Sequence, residues 1–132
     1  MSVFDGIYNV INAVPAVHGK VYHAEALKGA AAPFVFWLQT GERFEQALDG
    51  YTELGTDTYE VHIVTKNLTT LALIAKEVRN AIIAMQGTTA GGVQYERVDI
   101  SQFSPVINEH EVNLYRKVYS ITVNYQEVLT NE

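Results

Sequence analysis

The segment LYRKVYSITVNYQEV, residues 114–128, has the alternating pattern of one long β-strand with two different faces. Successive side chains of a strand point to opposite faces of a sheet. One face carries three tyrosines, two aliphatic residues and one lysine: Tyr115, Lys117, Tyr119, Ile121, Val123 and Tyr125. We expect these tyrosines to face helices, because a buried aromatic ring removes a large area from water while its hydroxyl can reach the edge of the core. The other face is mostly polar, and it faces water, a neighbouring subunit or a channel.

The composition limits the class of protein. A chain of 132 residues suits one domain, and at this size folding buries roughly two-thirds of the surface of the unfolded chain. The absence of cysteine excludes disulfides, thiolate catalysis and Cys-based zinc sites. No apolar run approaches the length of a membrane span, and the opening MSVFDGIYNV lacks the pattern of a secretory signal. We therefore expect a soluble protein made in the cytoplasm.

The formal net charge of −6 bears on nucleic acids. An acidic surface repels phosphate, so tight DNA binding through a basic patch is not expected. A surface that DNA only passes is compatible with this charge, because a wall that does not grip phosphates lets DNA slide.

Periodicity and breaking residues predict an α+β fold, with a mainly antiparallel sheet of about five strands and two helices on one face. The predicted helices are residues 2–14 and 68–86. The predicted strands are residues 20–25, 32–40, 58–66, 93–103 and 114–128. We find no repeat and no linker, so residues 1–132 form one predicted domain.

The second helix has the clearest boundaries. Asn67 is the predicted N-cap, and Gly87 lies just beyond the predicted end. Leu73 falls among the polar residues of this helix rather than on its apolar stripe. A single exposed leucine is ordinary, but the same residue could also mark a contact with a neighbouring subunit.

Residues 41–57, GERFEQALDGYTELGTD, hold three glycines and little periodicity, which predicts a long loop or a hairpin extension. Five acidic residues against Arg43 place most of the net charge here. We predict that they form an acidic loop or channel surface: Glu42, Glu45, Asp49, Glu53 and Asp57. Loops of this kind are often functional. The predicted assembly interface joins its apolar residues to Leu73 of the second helix: Phe44, Leu48, Tyr51, Leu54 and Leu73.

Other candidate sites favour simpler interpretations. His110 lies between Glu109 and Glu111, but neighbours on a strand point to opposite faces and cannot converge easily on one metal ion. The glycine-rich TTAGGV lacks the lysine of a phosphate loop and indicates a turn. No nucleophile with a nearby base is visible. We therefore expect no catalytic residues, no metal and no cofactor.

Taken together, four segments resemble the bacteriophage tail-completion family, also called tail terminator or head–tail joining proteins. They are an opening helix, VYHAEALKGAAAPFVFWLQ, YEVHIVTKNLTTLALIAKEVRNAI and LYRKVYSITVNYQE. The likeness covers nearly the whole chain as a pattern of segments rather than as a catalytic signature. Pro33-Phe34 stands where the family usually has Pro-Tyr before the aromatic strand.

The resemblance implies structural work in a virion. Such proteins assemble as a ring, typically a hexamer, on the last ring of the tail tube, at the head–tail junction. They stop tube growth and present a surface to the connector or stopper protein of the head, and DNA crosses the central hole. The implied partners are further copies of the chain, the tail-tube protein and the head connector, with DNA only in passage and no membrane. The family has no catalytic residues to carry over.

An alternative is an oligomeric α+β domain that binds a small ligand between subunits. Trp37, Tyr59 and His62 are residue types that often line such pockets. This alternative requires a concave pocket, whereas the resemblance requires a ring with a hole wide enough for duplex DNA.

Overall fold

The computed structural model describes residues 3–23, 31–46, 52–90, 92–102, 105–109 and 113–128. The helices are α1 (Val3–Asn12) and α2 (Leu68–Ile83), with a short 3-10 helix at Pro15–Val17. The strands are β1 (Val21–His23), β2 (Phe34–Gln46), β3 (Thr52–Thr65), β4 (Thr89–Ala90), β5 (Val93–Gln102), β6 (Ile107–Glu109) and β7 (Leu114–Val128). The predicted α+β class is confirmed.

The sheet is larger than predicted, and it is mixed. The described part of the chain forms one seven-stranded sheet in the order β1-β2-β3-β7-β5-β4, with β6 beside the start of β7. The prediction of about five strands missed β4 and β6, because their short segments are rich in turn-forming residues. β1 runs parallel to β2, while the other pairs are antiparallel. β1 has only three residues, and so short a strand carries no sequence signal for parallel or antiparallel pairing.

Helix α2 begins and ends where elementary capping rules predict. The Asn67 side chain accepts a hydrogen bond of 2.7 Å from the Thr70 backbone N–H, as an N-cap residue does. The regular helix ends at Ile83, three residues earlier than predicted, and the chain continues in tighter turns. Gly87 then adopts a left-handed φ of 83°, which favours glycine and redirects the chain into β4.

The described parts of residues 41–57, residues 41–46 and 52–57, extend two antiparallel strands, which fits the second of the two predicted possibilities, a hairpin extension. Residues 47–51 lie outside the described residues. β2 continues to Gln46, and β3 starts again at Thr52. Two glycines taken as loop signals lie inside these strands. A Cβ atom on Gly55 would lie 2.1 Å from the Tyr125 ring, and one on Gly41 would lie 2.6 Å from Thr58 Oγ1. These glycines are therefore needed for close packing, a role that sequence alone does not separate from turn formation.

Both helices cover the same face of the sheet, as predicted. One cluster of buried residues joins α1 and α2 to β1, β2, β3, β5 and β7. Tyr119 and Tyr125 are buried in it, and Tyr115 packs against it, so the prediction that these tyrosines face the helices is confirmed. The opposite side of the sheet, called the outer face below, has no helix on it among the described residues.

Candidate functional site

The outer face changes character along the strands. Strand register places Thr56 beside Asn124, Thr58 beside Thr122, and Glu60 beside Ser120 across β3 and β7. The Thr56 hydroxyl donates to Asn124 Oδ1 at 2.8 Å, and the Thr40 hydroxyl donates to Thr58 Oγ1 at 3.1 Å. Apart from Glu60, these rows consist of hydroxyl and amide groups, which can satisfy one another's hydrogen bonds. This half of the outer face is the polar surface predicted for the final strand.

The other half of the outer face is apolar, which the polar pattern of β7 did not predict. Phe36 stacks on His62 with ring centroids 4.3 Å apart and an angle of 13° between the planes. Val64 and Val118 are nearly inaccessible, at 4% and 2% exposure. The signal was present in the alternate residues of β2, Phe34 and Phe36, which lie opposite Val64 and His62.

The three residues of the ligand-binding alternative do not line one site. Trp37 and Tyr59 pack on each other in the core with ring centroids 5.8 Å apart, and their exposed fractions are 1% and 0%. His62 projects to the outer face instead, where Nε2 lies 2.9 Å from Glu60 Oε1. The sheet itself separates the histidine from the two aromatic residues. The alternative thus loses the lining on which it was based.

Asp57 is a buried residue, so its assignment to an acidic surface is wrong for the subunit. Only 4% of the residue is exposed. Its carboxylate accepts hydrogen bonds from the hydroxyls of Tyr59, at 2.8 Å, and Tyr125, at 3.3 Å. Burial, and then the hydrogen bond and charge of Asp57, raise the pKa of the Tyr59 hydroxyl far above its usual range. The pair therefore stabilises the base of the hairpin rather than a solvent surface.

The remaining acidic residues were predicted from charge alone. Glu42 is exposed, and it accepts a hydrogen bond of 3.1 Å from Gln39 Nε2. Glu45 and Glu53 lie at paired strands of the hairpin, in β2 and β3. Asp49 lies outside the described residues. An acidic hairpin surface of Glu42, Glu45 and Glu53 remains a prediction.

The predicted assembly residues lie on two sides of the molecule. Leu73 on α2 is 60% exposed, and Leu54 on the hairpin is 37% exposed on the outer face. Phe44 belongs to β2, while Leu48 and Tyr51 lie outside the described residues. The structure therefore does not combine Leu54 and Leu73 into one patch. Two separate patches suit a head-to-tail contact, in which each subunit uses different surfaces for its two neighbours.

Sequence reasoning missed one further apolar surface on the helical side. A groove of about 580 Å³ runs between α1 and α2, lined in part by Val10, Ala13, Asn80 and Ala81. Small side chains on facing helices leave this space, and their pattern was the available signal.

The described residues hold no group of three His, Asp or Glu side chains arranged to bind a metal ion. Within the same residues, no helix has the length and apolar character needed to cross a membrane.

The fold is shared with a protein of a solved virion. A chain in the structure of the virion of a native gene transfer agent (GTA) particle superposes with a TM-score of 0.54. The superposition covers 91% of this chain and 91% of that chain, and the two sequences are 13% identical. No protein-family model matches this sequence, and no curated protein matches it either. The likeness therefore concerns the fold.

Proposed function

We propose that this chain is a structural virion protein that caps a phage tail tube and joins the tail to the connector of the head. The proposal makes it a subunit of a ring, hexameric in the resembled family, through which DNA passes. The observation that carries it is the fold shared with a virion chain over 91% of both lengths. The segments that resemble the tail-completion family add the position at the tail end.

The surfaces support this proposal over a catalytic one. The hydrogen-bonded polar groups of Asp57, Tyr59 and Tyr125 are enclosed in the fold and offer nothing to a substrate. The polar half of the outer face carries hydroxyl and amide rows on β3 and β7, and the charges beside these rows are of both signs: Arg43, Arg97 and Asp99. Such a face suits a wall that DNA passes, because tight retention of DNA requires neutralised phosphates. Exposed leucines on separate sides suit contacts between subunits.

The decisive experiment is removal of the gene from cells that produce the particle, followed by electron microscopy. A tail-end protein should leave filled heads and unattached tails, with tails of irregular excess length. The wild-type gene supplied in trans should restore attached tails, and labelled protein should be found at the head–tail junction. Intact particles without this chain, or label distributed along the tube, would refute the proposed position.

A further inference from the structure

Among the described residues, the sheet of one subunit has two partly open edges. β1 covers β2 only from Val35 to Trp37, and no described strand pairs with β2 beyond that point. On the opposite side, β4 covers β5 at Val93 and Gln94, and the residues before β4 bond the same edge at Tyr95 and Val98. No described strand pairs with this edge of β5 beyond Val98. Unpaired strand edges are templates for pairing with another chain. Neither β2 nor β5 contains a proline that would block such pairing.

The two edges have compatible directions. β2, β3, β7 and β5 are neighbours in this order, and each pair is antiparallel, so β2 and β5 run in opposite directions. A second copy placed beside the first in the same orientation brings its β5 against β2. The new pair is antiparallel, and the outer faces of the two sheets are continuous. Because each copy keeps one open edge of each kind, this contact repeats head to tail and can close into a ring.

Backbone N–H and C=O groups also point outward at both edges, as pairing requires. The Val35 N–H donates to the Lys20 carbonyl, so before the bulge at Gln39–Gly41 the odd residues of β2 point to β1. The extra residue reverses this alternation, and Glu42 and Phe44 direct their backbone groups to the open edge. On β5, the Val98 N–H points away from β7, and it is already bonded to Gln86 Oε1 at 3.0 Å. Ile100, two residues later, has the same direction, so the edge contact with another copy centres on Ile100 rather than on Val98.

Charge selects one register. If Glu42 pairs with Ile100 of the next copy, Arg43 lies opposite Asp99 on the outer face. A slip of two residues in one direction sets Arg43 opposite Arg97, and the slip in the other direction sets position 45, a glutamate, opposite Asp99. Both slips oppose like charges, which destabilises a strand pair. A slip of one residue would exchange the two faces.

We infer that copies of this chain join through their sheets, with the edge of β2 in one copy paired to the edge of β5 in the next and Arg43 opposite Asp99. Within one subunit, Asp99 and Arg97 form a salt bridge, with 2.9 Å between Asp99 Oδ2 and Arg97 Nε, and both side chains are more than half exposed. In the assembly, Asp99 lies between two arginines of different copies. The inference rests on the ring of the proposed function, and it names the surfaces that form that ring.

Disulfide trapping tests the register, since the chain has no cysteine of its own. Arg43→Cys and Asp99→Cys proteins are purified separately, mixed and oxidised. In the inferred register these positions form a non-hydrogen-bonded pair with Cα atoms about 4.5 Å apart, within disulfide range. Arg43→Cys with Arg97→Cys is the matched control, because this diagonal pair is about 7–8 Å apart. We expect the 43–99 disulfide to form several-fold faster than the control.

Equal rates for the two mixtures, or faster disulfide formation by Arg43→Cys alone, would overturn the inference. The second outcome would indicate two β2 edges joined symmetrically.

A charge exchange gives an independent measurement of the register, by sedimentation. Arg43→Asp should weaken self-association, and added Asp99→Arg should restore it. Lys66→Asp, with the same change in charge at an exposed site remote from both edges, should have no effect. A double variant as weak as the single one would also overturn the register.

These measurements use the purified chain, so they can fail independently of the proposed function. A 43–99 disulfide in a protein whose removal leaves particles intact would keep the contact and refute the tail-end role. Detached tails without a preferred disulfide would keep the role and refute the contact.

Discussion

On β7, Tyr119, Ile121 and Val123 are buried beneath the helices, while Ser120 and Thr122 between them remain partly exposed on the outer face. The same strand thus meets two environments that differ in what they require of a side chain. The helical side requires volume and apolar area, and nearly all of it is enclosed. The outer side changes from stacked aromatic residues to hydroxyl rows within the same strands. We conclude that the helical side holds the fold, and that the polar half of the outer side and the edges are available to partners.

The difference between the helical side and the outer side of the sheet is tested most strongly at two adjacent residues of β2. Trp37 faces the helices and is almost fully buried, whereas Phe36 faces outward and is half-buried. Trp37→Ala should lower the free energy of unfolding by roughly 3–5 kcal/mol, through lost burial and the cavity left behind. Phe36→Ala should cost clearly less, because part of its ring is already in water. Denaturant melts of both variants decide this, and equal losses would contradict the difference between the faces.

The next effect concerns the close approach of Gly55 to Tyr125. A methyl group at Gly55 would meet the Tyr125 ring at 2.1 Å, so Gly55→Ala should cost roughly 1–3 kcal/mol by overpacking. Gly41→Ala is the comparison and should cost less, because its added methyl would meet one atom, Thr58 Oγ1 at 2.6 Å, rather than several atoms of a buried ring. In a Tyr125→Ala background the cost of Gly55→Ala should fall, and a double-mutant cycle measures this coupling. Additive losses would show that the ring does not press on Gly55.

A third prediction uses the buried tyrosines as pH probes. Burial raises the pKa of Tyr95, and burial with Asp57 raises the pKa of Tyr59, above their ordinary value of 10.0. Below pH 10 the tyrosines stay protonated in both the folded and the unfolded chain, so their ionisation does not lower the free energy of unfolding. Above that pH the unfolded tyrosines ionise first, and the free energy of unfolding should fall by up to about 1.4 kcal/mol per pH unit for each tyrosine.

Urea melts between about pH 9 and 11 check this fall, which begins near the unfolded pKa. Tyr59→Phe should make the fall shallower, although it also removes the hydrogen bond to Asp57. An unchanged slope in Tyr59→Phe would show that this hydroxyl is not protected from ionisation.

The sequence predicted what depends on local pattern. Alternation identified β7 and the side its tyrosines face, and Asn67 and Gly87 marked α2 because capping is chemistry within a few residues. It did not predict that Asp57 is enclosed, because one of its two partners, Tyr125, lies 68 residues away on another strand. Gly55 indicated a loop for the same reason, since the ring that requires a glycine there comes from another strand. Pairing direction, as between β1 and β2, is likewise decided by the whole sheet.

The smallest effect on the subunit should come from Leu73, the most exposed large apolar residue on α2. On a helix face in water, Leu73→Glu should change the free energy of unfolding by only about 0.5 kcal/mol. In a desolvated contact between subunits the same carboxylate would be unpaired and costly, so assembly should fail while the subunit stays folded. Complementation scored by electron microscopy measures assembly, and a denaturant melt measures the stability of the subunit.

Leu68→Glu is the matched control, since Leu68 is also exposed but lies on another side of α2. Normal particles with Leu73→Glu would remove this residue from the interface. Equal failure with Leu68→Glu would show that added charge anywhere on α2 blocks assembly, and the contact could not then be assigned to Leu73.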